Sequence, residues 1–320
     1  MSTVVVDAAG AAMGGASRLL AELDTYVARS SRADVRVVGR QHTLRASWLL
    51  RRERSAATAD RRIALNNVSF VAPGGERIVL LRNALHFPRA HEEPGLPPRA
   101  ARRVAVEARA VRLAALRADL LVVPSTSMAE RVARWLPSTR ARTVVWPHPV
   151  SPRTSSGPRE EGLVLCPVLM APYKRMDHWL ALLAAAARGL EVEGRRVRIE
   201  VTATAEELTA AGLGGSDLVG LGRLSVPEVE RALNRAAVVY FPTTLESFGY
   251  PLAEARANGQ PVLARDTAHN REVAGDALVP FDATTEDLAR ALARALGTTV
   301  PSTVASSADE YFGRLLGPVS

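Results

Sequence analysis

The residues best suited to chemistry lie in one stretch, Val238–Ala264, which reads VVYFPTTLESFGYPLAEARANGQPVLA. Its apolar start, Val238–Phe241, has the composition of a buried strand. The loop that follows holds Glu246 and Gly249. A helix is expected from Pro251, since proline suits a helix start, where a missing N–H costs nothing. That start places Glu254 in the first helical turn. Two carboxylates thus flank a glycine loop that opens on a helix N-terminus. Free amides and the positive end of a helix dipole suit phosphate oxygens, and each carboxylate can accept hydrogen bonds from a vicinal diol. The indicated ligand carries both anionic phosphates and neutral hydroxyls. Taken singly, Glu254 is only a helix-start charge and Glu246 a loop side chain; the joint setting carries the inference.

Lys174 stands apart for a different reason. Of the 41 lysines and arginines, it is the sole lysine. Lysine is a compact point charge that binds phosphate. A fixed cation aimed at a departing diphosphate would stabilise the transition state more than the ground state. The plain alternative is a surface lysine. Metal chemistry has no comparable signature: no Asp-x-Asp occurs, and no three histidines or carboxylates show metal-ligand spacing. The single cysteine, Cys166, excludes an internal disulfide framework and a cysteine-based zinc site.

Short apolar strands alternate with helical stretches along the chain. Thr3–Asp7, Val35–Val38, Arg77–Leu81 and Leu120–Val123 read as strands. Helical patterns cover Ala16–Arg29 and Pro98–Leu116. The proline- and serine-rich segment Pro147–Arg159 reads as a linker, and the alternation then restarts. Strands are expected at Leu163–Cys166, Val197–Val201, Val238–Phe241 and Pro261–Ala264. Helices are expected at Lys174–Arg188 (closed by Gly189), Val226–Asn234, Pro251–Ala257 and Asp287–Leu296. This is an α/β pattern of two doubly wound, Rossmann-like domains with parallel sheets. The expected boundaries are an N-terminal domain over 1–150, a C-terminal domain over 151–300, and a tail or helix over 301–320 that could pack back on the first.

A resemblance sharpens this reading. Glu246 and Glu254, with Phe248-Gly249 and Pro251 between them and Asn258-Gly259-Gln260-Pro261-Val262 after them, resemble the signature of the retaining family 4 glycosyltransferases, the group 1 glycosyltransferases of GT-B fold. The likeness covers most of 160–296 and includes Tyr173-Lys174-Arg175, the stretch Gly220–Leu233 (GLGRLSVPEVERAL) and Arg271–Asp276 (REVAGD). It is weaker before residue 150, where Gly14-Gly15 resembles the family's first loop and Leu121–Ser125 a late strand. The resemblance implies two domains facing across a cleft and transfer of a hexose-type sugar from a UDP- or GDP-sugar, with no metal and no other cofactor. Glu254 would bind the ribose hydroxyls and Glu246 a hydroxyl of the donor sugar. The amides of Phe248, Gly249 and Tyr250 would contact sugar and phosphate. Lys174 would neutralise the diphosphate, and Gly14 and Gly15 would let the first loop approach it. The base would lie near Arg223 and Leu224. A catalytic histidine of the N-terminal domain would be His86, in Leu80–Pro88 (LLRNALHFP), with His91 beside it as a rival; a structural loop histidine is the alternative. His148, in Pro147-His148-Pro149, reads as structural, and His178 and His269 have no better claim. One departure stands out. The family's arginine five residues before the lysine is Leu169 here, and Arg175 or an arginine of the N-terminal domain is the candidate replacement.

Charge bears on the acceptor. Residues 1–150 carry 24 arginines against 12 acids, whereas residues 151–320 carry 17 basic against 21 acidic residues. A basic half can attract an anionic membrane surface or a phosphorylated lipid, or it can be a solvated surface with no partner. A lipid-linked or cell-surface glycan is therefore the expected acceptor, with a small soluble molecule as the competitor, and loops such as Gln41–Ala64 are expected to shape its pocket. Nucleic acid is not expected, for there is no recognisable module and no basic–aromatic interleaving. No apolar run is long enough to span a membrane, and Met1–Gly10 reads as a strand rather than a leader. The expected location is the cytoplasm, or the inner membrane face peripherally. A catalytically weak nucleotide-sugar-binding partner subunit, motivated by Leu169, is the alternative function.

Overall fold

The computed structural model describes residues 3–11, 14–89, 92, 95–151 and 157–318. The contacts divide these into two units. The first comprises Met1–Ser151, Glu246–Phe248 and Ala305–Ser320; the second comprises Pro152–Leu245 and Gly249–Val304.

The first unit runs β1 (Val4–Asp7), α1 (Gly14–Arg29), β2 (Val35–Val38), α2 (Ala46–Ser55), β3 (Arg61–Ala64), β4 (Glu76–Leu80), α3 (Pro98–Ala115), β5 (Leu120–Val123), α4 (Thr126–Trp135) and β6 (Thr143–Val145). The second runs β7 (Glu160–Cys166), α5 (Met176–Val192), β8 (Arg198–Val201), α6 (Ala205–Ala210), β9 (Leu218–Gly220), α7 (Val226–Arg235), β10 (Ala236–Phe241), α8 (Tyr250–Ala257), β11 (Val262–Arg265), α9 (Ala268–Ala274), β12 (Leu278–Phe281) and α10 (Thr285–Leu296). A last helix, α11 (Ala308–Leu316), returns to the first unit.

Each unit holds one six-stranded sheet, ordered β2-β1-β3-β4-β5-β6 and β12-β11-β10-β7-β8-β9. All pairings are parallel. The inner strands are apolar because helices cover both faces of such sheets; Val4–Val6 and Leu163–Cys166 are buried throughout. In each sheet the chain steps to one side and then returns to the other. The reversal lies between β1 and β3 in the first and between β7 and β10 in the second. Loops at the carboxyl ends of such neighbouring strands diverge and leave a crevice for ligands.

Helix α11 is tied to the first unit by named contacts. Tyr26 and Phe312 lie 5.4 Å apart, Arg32 Nη1 donates to the Gly317 carbonyl at 2.8 Å, and Arg61 Nη1 donates to the Leu315 carbonyl at 3.1 Å. His148 Nδ1 meets the Tyr311 hydroxyl at 3.1 Å. His148 is buried here, and burial together with Arg82 holds its imidazole well below the ordinary histidine pKa. Among the described residues no helix is long and apolar enough to cross a membrane.

Three local expectations need correction. Helix α5 begins at Met176 rather than at Lys174 and runs through Gly189 to Val192. Leu183, Ala187 and Leu190 keep its buried stripe going, so packing overrides one unfavourable glycine; the glycine with positive φ is Gly194. The stretch 41–64 is not a loop, since it contains α2 and β3. Helix α8 starts at Tyr250, which puts Glu254 in its second turn rather than its first.

Candidate active site

The site is clearest in the second unit, at the carboxyl ends of β7 and β10. After β7 the chain turns through a short 3-10 segment, Pro172–Lys174, and enters α5. After β10 it passes through Thr243, Thr244 and Leu245. These segments line a pocket of about 280 Å³ together with Arg175, His178 and Trp179. The pocket therefore sits at the reversal point of the sheet. Lys174 is half-buried in its wall, and its Nζ lies 5.6 Å from the centre of the Phe241 ring and 5.9 Å from that of Tyr173. Aromatic faces attract an ammonium group and limit its wandering.

The loop beyond β10 makes a second feature. Gly249 caps α8 at φ 81°, ψ 71°. A Cβ there would stand 3.1 Å from Leu252 Cδ1 and 3.3 Å from Phe241 Cε1, so glycine is required by both conformation and space. Tyr250 and Glu254 follow on α8 and are buried. A carboxylate held out of water on a rigid helix makes stronger hydrogen bonds than an exposed one. Neither Glu254 nor Glu246 is among the pocket-lining residues.

Glu246 falls elsewhere. With Ser247 and Phe248 it belongs to the first unit. Ser125 Oγ donates to the Ser247 carbonyl at 2.8 Å, and Ser247 Oγ donates to the Arg82 carbonyl at 2.7 Å. The rings of His148 and Phe248 meet edge-on at 5.1 Å. Ser125 also caps α4 by accepting from Met128 N at 3.2 Å. These anchors for the Glu246 loop were invisible in sequence, where Ser125 read only as the end of an apolar strand.

The other predicted residues of the first unit have their own settings. Gly14 and Gly15 open α1 after β1, on the reversal side of that sheet, and both are exposed. Arg82, which sequence reasoning did not single out, donates to the Gly15 carbonyl at 3.4 Å and through Nε to the Leu65 carbonyl at 3.0 Å. His86 closes a 3-10 turn after β4 and is buried. Its Nε2 lies 3.2 Å from Asn83 Nδ2, and Arg112 Nε donates to its carbonyl at 2.8 Å. Burial, with Arg112 nearby, lowers the His86 pKa to about 4, so its ring is neutral near pH 7. In the second unit, Arg223 is engaged in an ion pair with Glu207, and Leu224 follows it in the loop between β9 and α7. His91 lies outside the described residues, as do residues 152–156 of the linker segment.

Comparison with known proteins agrees with this geometry. Residues 168–298 match the family model for glycosyl transferases group 1. No curated protein sequence matches the chain. Among solved structures, HepE from Anabaena in complex with UDP and glucose superposes with a TM-score of 0.64 at 15% identity, covering 98% of this chain and 95% of that one. WaaG, a glycosyltransferase involved in lipopolysaccharide biosynthesis, gives 0.64 at 16% identity, covering 92% and 90%. A TarM variant from S. aureus, in complex with UDP, alpha-GlcNAc-glycerol and fondaparinux, gives 0.54 at 12% identity over 74% of this chain. The chain spans about half the length of TarM, 48%. Identities this low speak to fold alone. The two doubly wound sheets have the fold of GT-B glycosyltransferases, and residues 168–298, which carry Lys174, the pocket and the glycine-opened helix α8, match the model of the group 1 glycosyltransferases.

Proposed function

We propose that the chain is a retaining glycosyltransferase that moves a hexose-type sugar from a UDP- or GDP-sugar to a hydroxyl acceptor, without a metal ion. The observation that carries this reading is the pocket holding Lys174 at the reversal point of the second sheet, inside the segment that matches the family. As the anomeric bond breaks, negative charge grows on the diphosphate, and the Lys174 ammonium stabilises it. Glu254 binds the ribose hydroxyls, while Glu246 holds a hydroxyl of the donor sugar. The amides of Phe248, Gly249 and Tyr250 contact sugar and phosphate, and Gly14 and Gly15 keep side chains away from the phosphates. Arg223 and Leu224 border the base, and His86, uncharged at neutral pH, contacts the reacting sugar. The complexes of HepE with UDP and glucose, and with UDP-glucose, support a nucleotide-sugar donor.

Incubation of the full chain with UDP- and GDP-sugars, followed by measurement of released nucleotide, tests the reading. One donor is expected to be consumed, faster when a hydroxyl acceptor is supplied. Tight donor binding with no release under any acceptor would favour the second reading, a nucleotide-sugar-binding partner subunit. That reading draws on Leu169, an uncharged side chain 47% exposed where the resemblance to the family 4 glycosyltransferases places an arginine.

For the acceptor, the surface of α3 supports a lipid-linked glycan at an anionic membrane face. Val106 and Leu113 lie two turns apart, 65% and 68% exposed, among exposed Arg99, Arg102, Arg103 and Arg109. Apolar groups flanked by arginines suit the boundary between headgroups and acyl chains, and each arginine near an anionic surface contributes about 1 kcal/mol. The chain is expected to co-sediment with vesicles containing anionic lipid, and the double change Arg102→Glu, Arg103→Glu to weaken that binding at least tenfold. Equal partitioning onto neutral and anionic vesicles removes the membrane from the proposal.

A further inference from the structure

A diphosphate carries more charge than one ammonium group offsets, and Leu169, where the resemblance to the family 4 glycosyltransferases places an arginine, supplies no second cation. The arginines of the second unit differ in what already engages them. Arg223 is committed to Glu207. Arg265, at the end of β11, has its guanidinium carbon 5.1 Å from the Trp179 ring centre and 5.9 Å from that of Phe281, and it does not line the pocket. Arg175 does line it, beside Lys174. Its side chain is exposed, and among the described residues it has no ion pair or hydrogen bond of its own.

The backbone at Arg175 adds a second, independent observation. This residue is the N-cap of α5 at φ 50°, ψ 39°, the left-handed region, and its side chain makes no capping bond. The other non-glycine residues with positive φ, among those described, are Ser31 and Asn67. Glycine or asparagine would enter this conformation more readily than arginine, and serine, asparagine or aspartate would cap the helix better. For folding alone, arginine is a poor choice here. Strained positions retained at a pocket wall are a mark of function.

We infer that Arg175 supplies the second positive charge for the diphosphate, in place of a cation at position 169. The inference rests on the reading of this pocket as the donor site. Lys174 and Arg175 are adjacent, on a turn whose left-handed step sends the chain from the pocket wall into α5. The pair then meets the diphosphate from one side, ammonium as a point charge and guanidinium as a fork that engages two oxygens at once. The contribution falls on the phosphates and not on the base or ribose.

Calorimetric titration of the full chain with a nucleoside diphosphate (UDP or GDP, whichever binds), with its parent nucleoside and with inorganic pyrophosphate tests this. The variants are Arg175→Gly, Arg175→Asn, Arg175→Lys and Lys174→Ala. Glycine and asparagine both accept the left-handed backbone, so both proteins are expected to keep or raise the unliganded Tm. Both are expected to bind the diphosphate and pyrophosphate roughly ten- to hundredfold more weakly, the scale of a lost charged hydrogen bond, with nucleoside affinity unchanged. Arg175→Lys is expected to retain part of the loss. A fall of several degrees in the unliganded Tm of both variants, with binding intact, makes Arg175 a structural residue and overturns the inference. Wild-type diphosphate affinity in Arg175→Gly, together with its loss in Lys174→Ala, overturns the inference and leaves the donor site standing. Wild-type protein that binds the diphosphates no better than their nucleosides overturns both.

Discussion

Lys174→Ala is expected to lower donor turnover by two to three orders of magnitude, the scale at which a single aimed electrostatic group stabilises a transition state. The ammonium sits half-buried in the pocket wall against Phe241 and Tyr173, so it is placed before the donor arrives. Its effect should be larger on kcat than on KM, because charge on the leaving diphosphate is greater in the transition state than in the bound donor. Lys174→Arg should recover only part of the rate, since a planar fork on a different stem does not reproduce a compact point charge. Steady-state release of nucleotide from the donor, with and without acceptor, measures both parameters. A Lys174→Ala protein whose kcat stays within threefold of wild type removes Lys174 from the chemistry. Elsewhere in the chain arginine fills every other basic position, which is consistent with a requirement at residue 174 that arginine does not meet.

Asp7→Ala is expected to destabilise the first unit by about 3–5 kcal/mol, the range measured when one partner of a buried ion pair is removed. Asp7 ends β1 and is fully buried. One of its oxygens accepts from Arg52 Nη1 at 2.5 Å and from Asn66 Nδ2 at 2.7 Å. The other accepts from Trp48 Nε1 at 3.0 Å and from Ala9 N at 3.0 Å. Arg52 is itself 1% exposed, donates to the carbonyls of Val68 and Ser69, and lies 4.4 Å from the Phe70 ring centre. Removing the carboxylate strands a guanidinium, an indole N–H and an amide in a space closed to water. Gly39 completes the fit, because a Cβ there would come within 2.7 Å of both Asp7 Oδ1 and the Trp48 ring. The double variant Asp7→Ala, Arg52→Met should be more stable than Asp7→Ala alone, since it takes away both charges. Urea unfolding of the three proteins supplies the comparison. A single variant within 1 kcal/mol of wild type, or a double variant no better than the single, refutes the account. The same cluster fixes the carboxyl end of β1, from which the loop to Gly14 and Gly15 departs, so the single variant should also weaken donor turnover.

Much of this protein is written in local pattern. Leu120–Val123 is a strand because a run of branched aliphatics between helical segments has one stable home, a parallel sheet covered on both faces. The alternation of strands and helices then implies parallel α/β sheets, and the doubly wound order is seen in the pairing of the strands. Lys174, Gly249 and Glu254 stood out as candidates for a related reason, residue type and spacing, and Gly249 adopts a conformation that glycine favours. Other features depend on partners far along the chain. Strand β3 opens with Arg61 and Arg62, which argue against a buried strand. Arg62 is nonetheless 1% exposed, because its guanidinium donates to the carbonyls of Ala57, Ala72 and Pro73. Gly189 looked like a helix end until the packing of Leu190 carried α5 past it. The Glu246 loop gave no sign that Ser125 and Arg82 would hold it, and Arg175 no sign of its left-handed backbone. Composition and period alone marked most of the strands and over half of the helices and singled out the candidate residues, since each of these follows from the preferences of neighbouring side chains. Tertiary structure decided which charges are buried and which loops are pinned, because a charge or a strained turn persists only where distant groups converge to satisfy it.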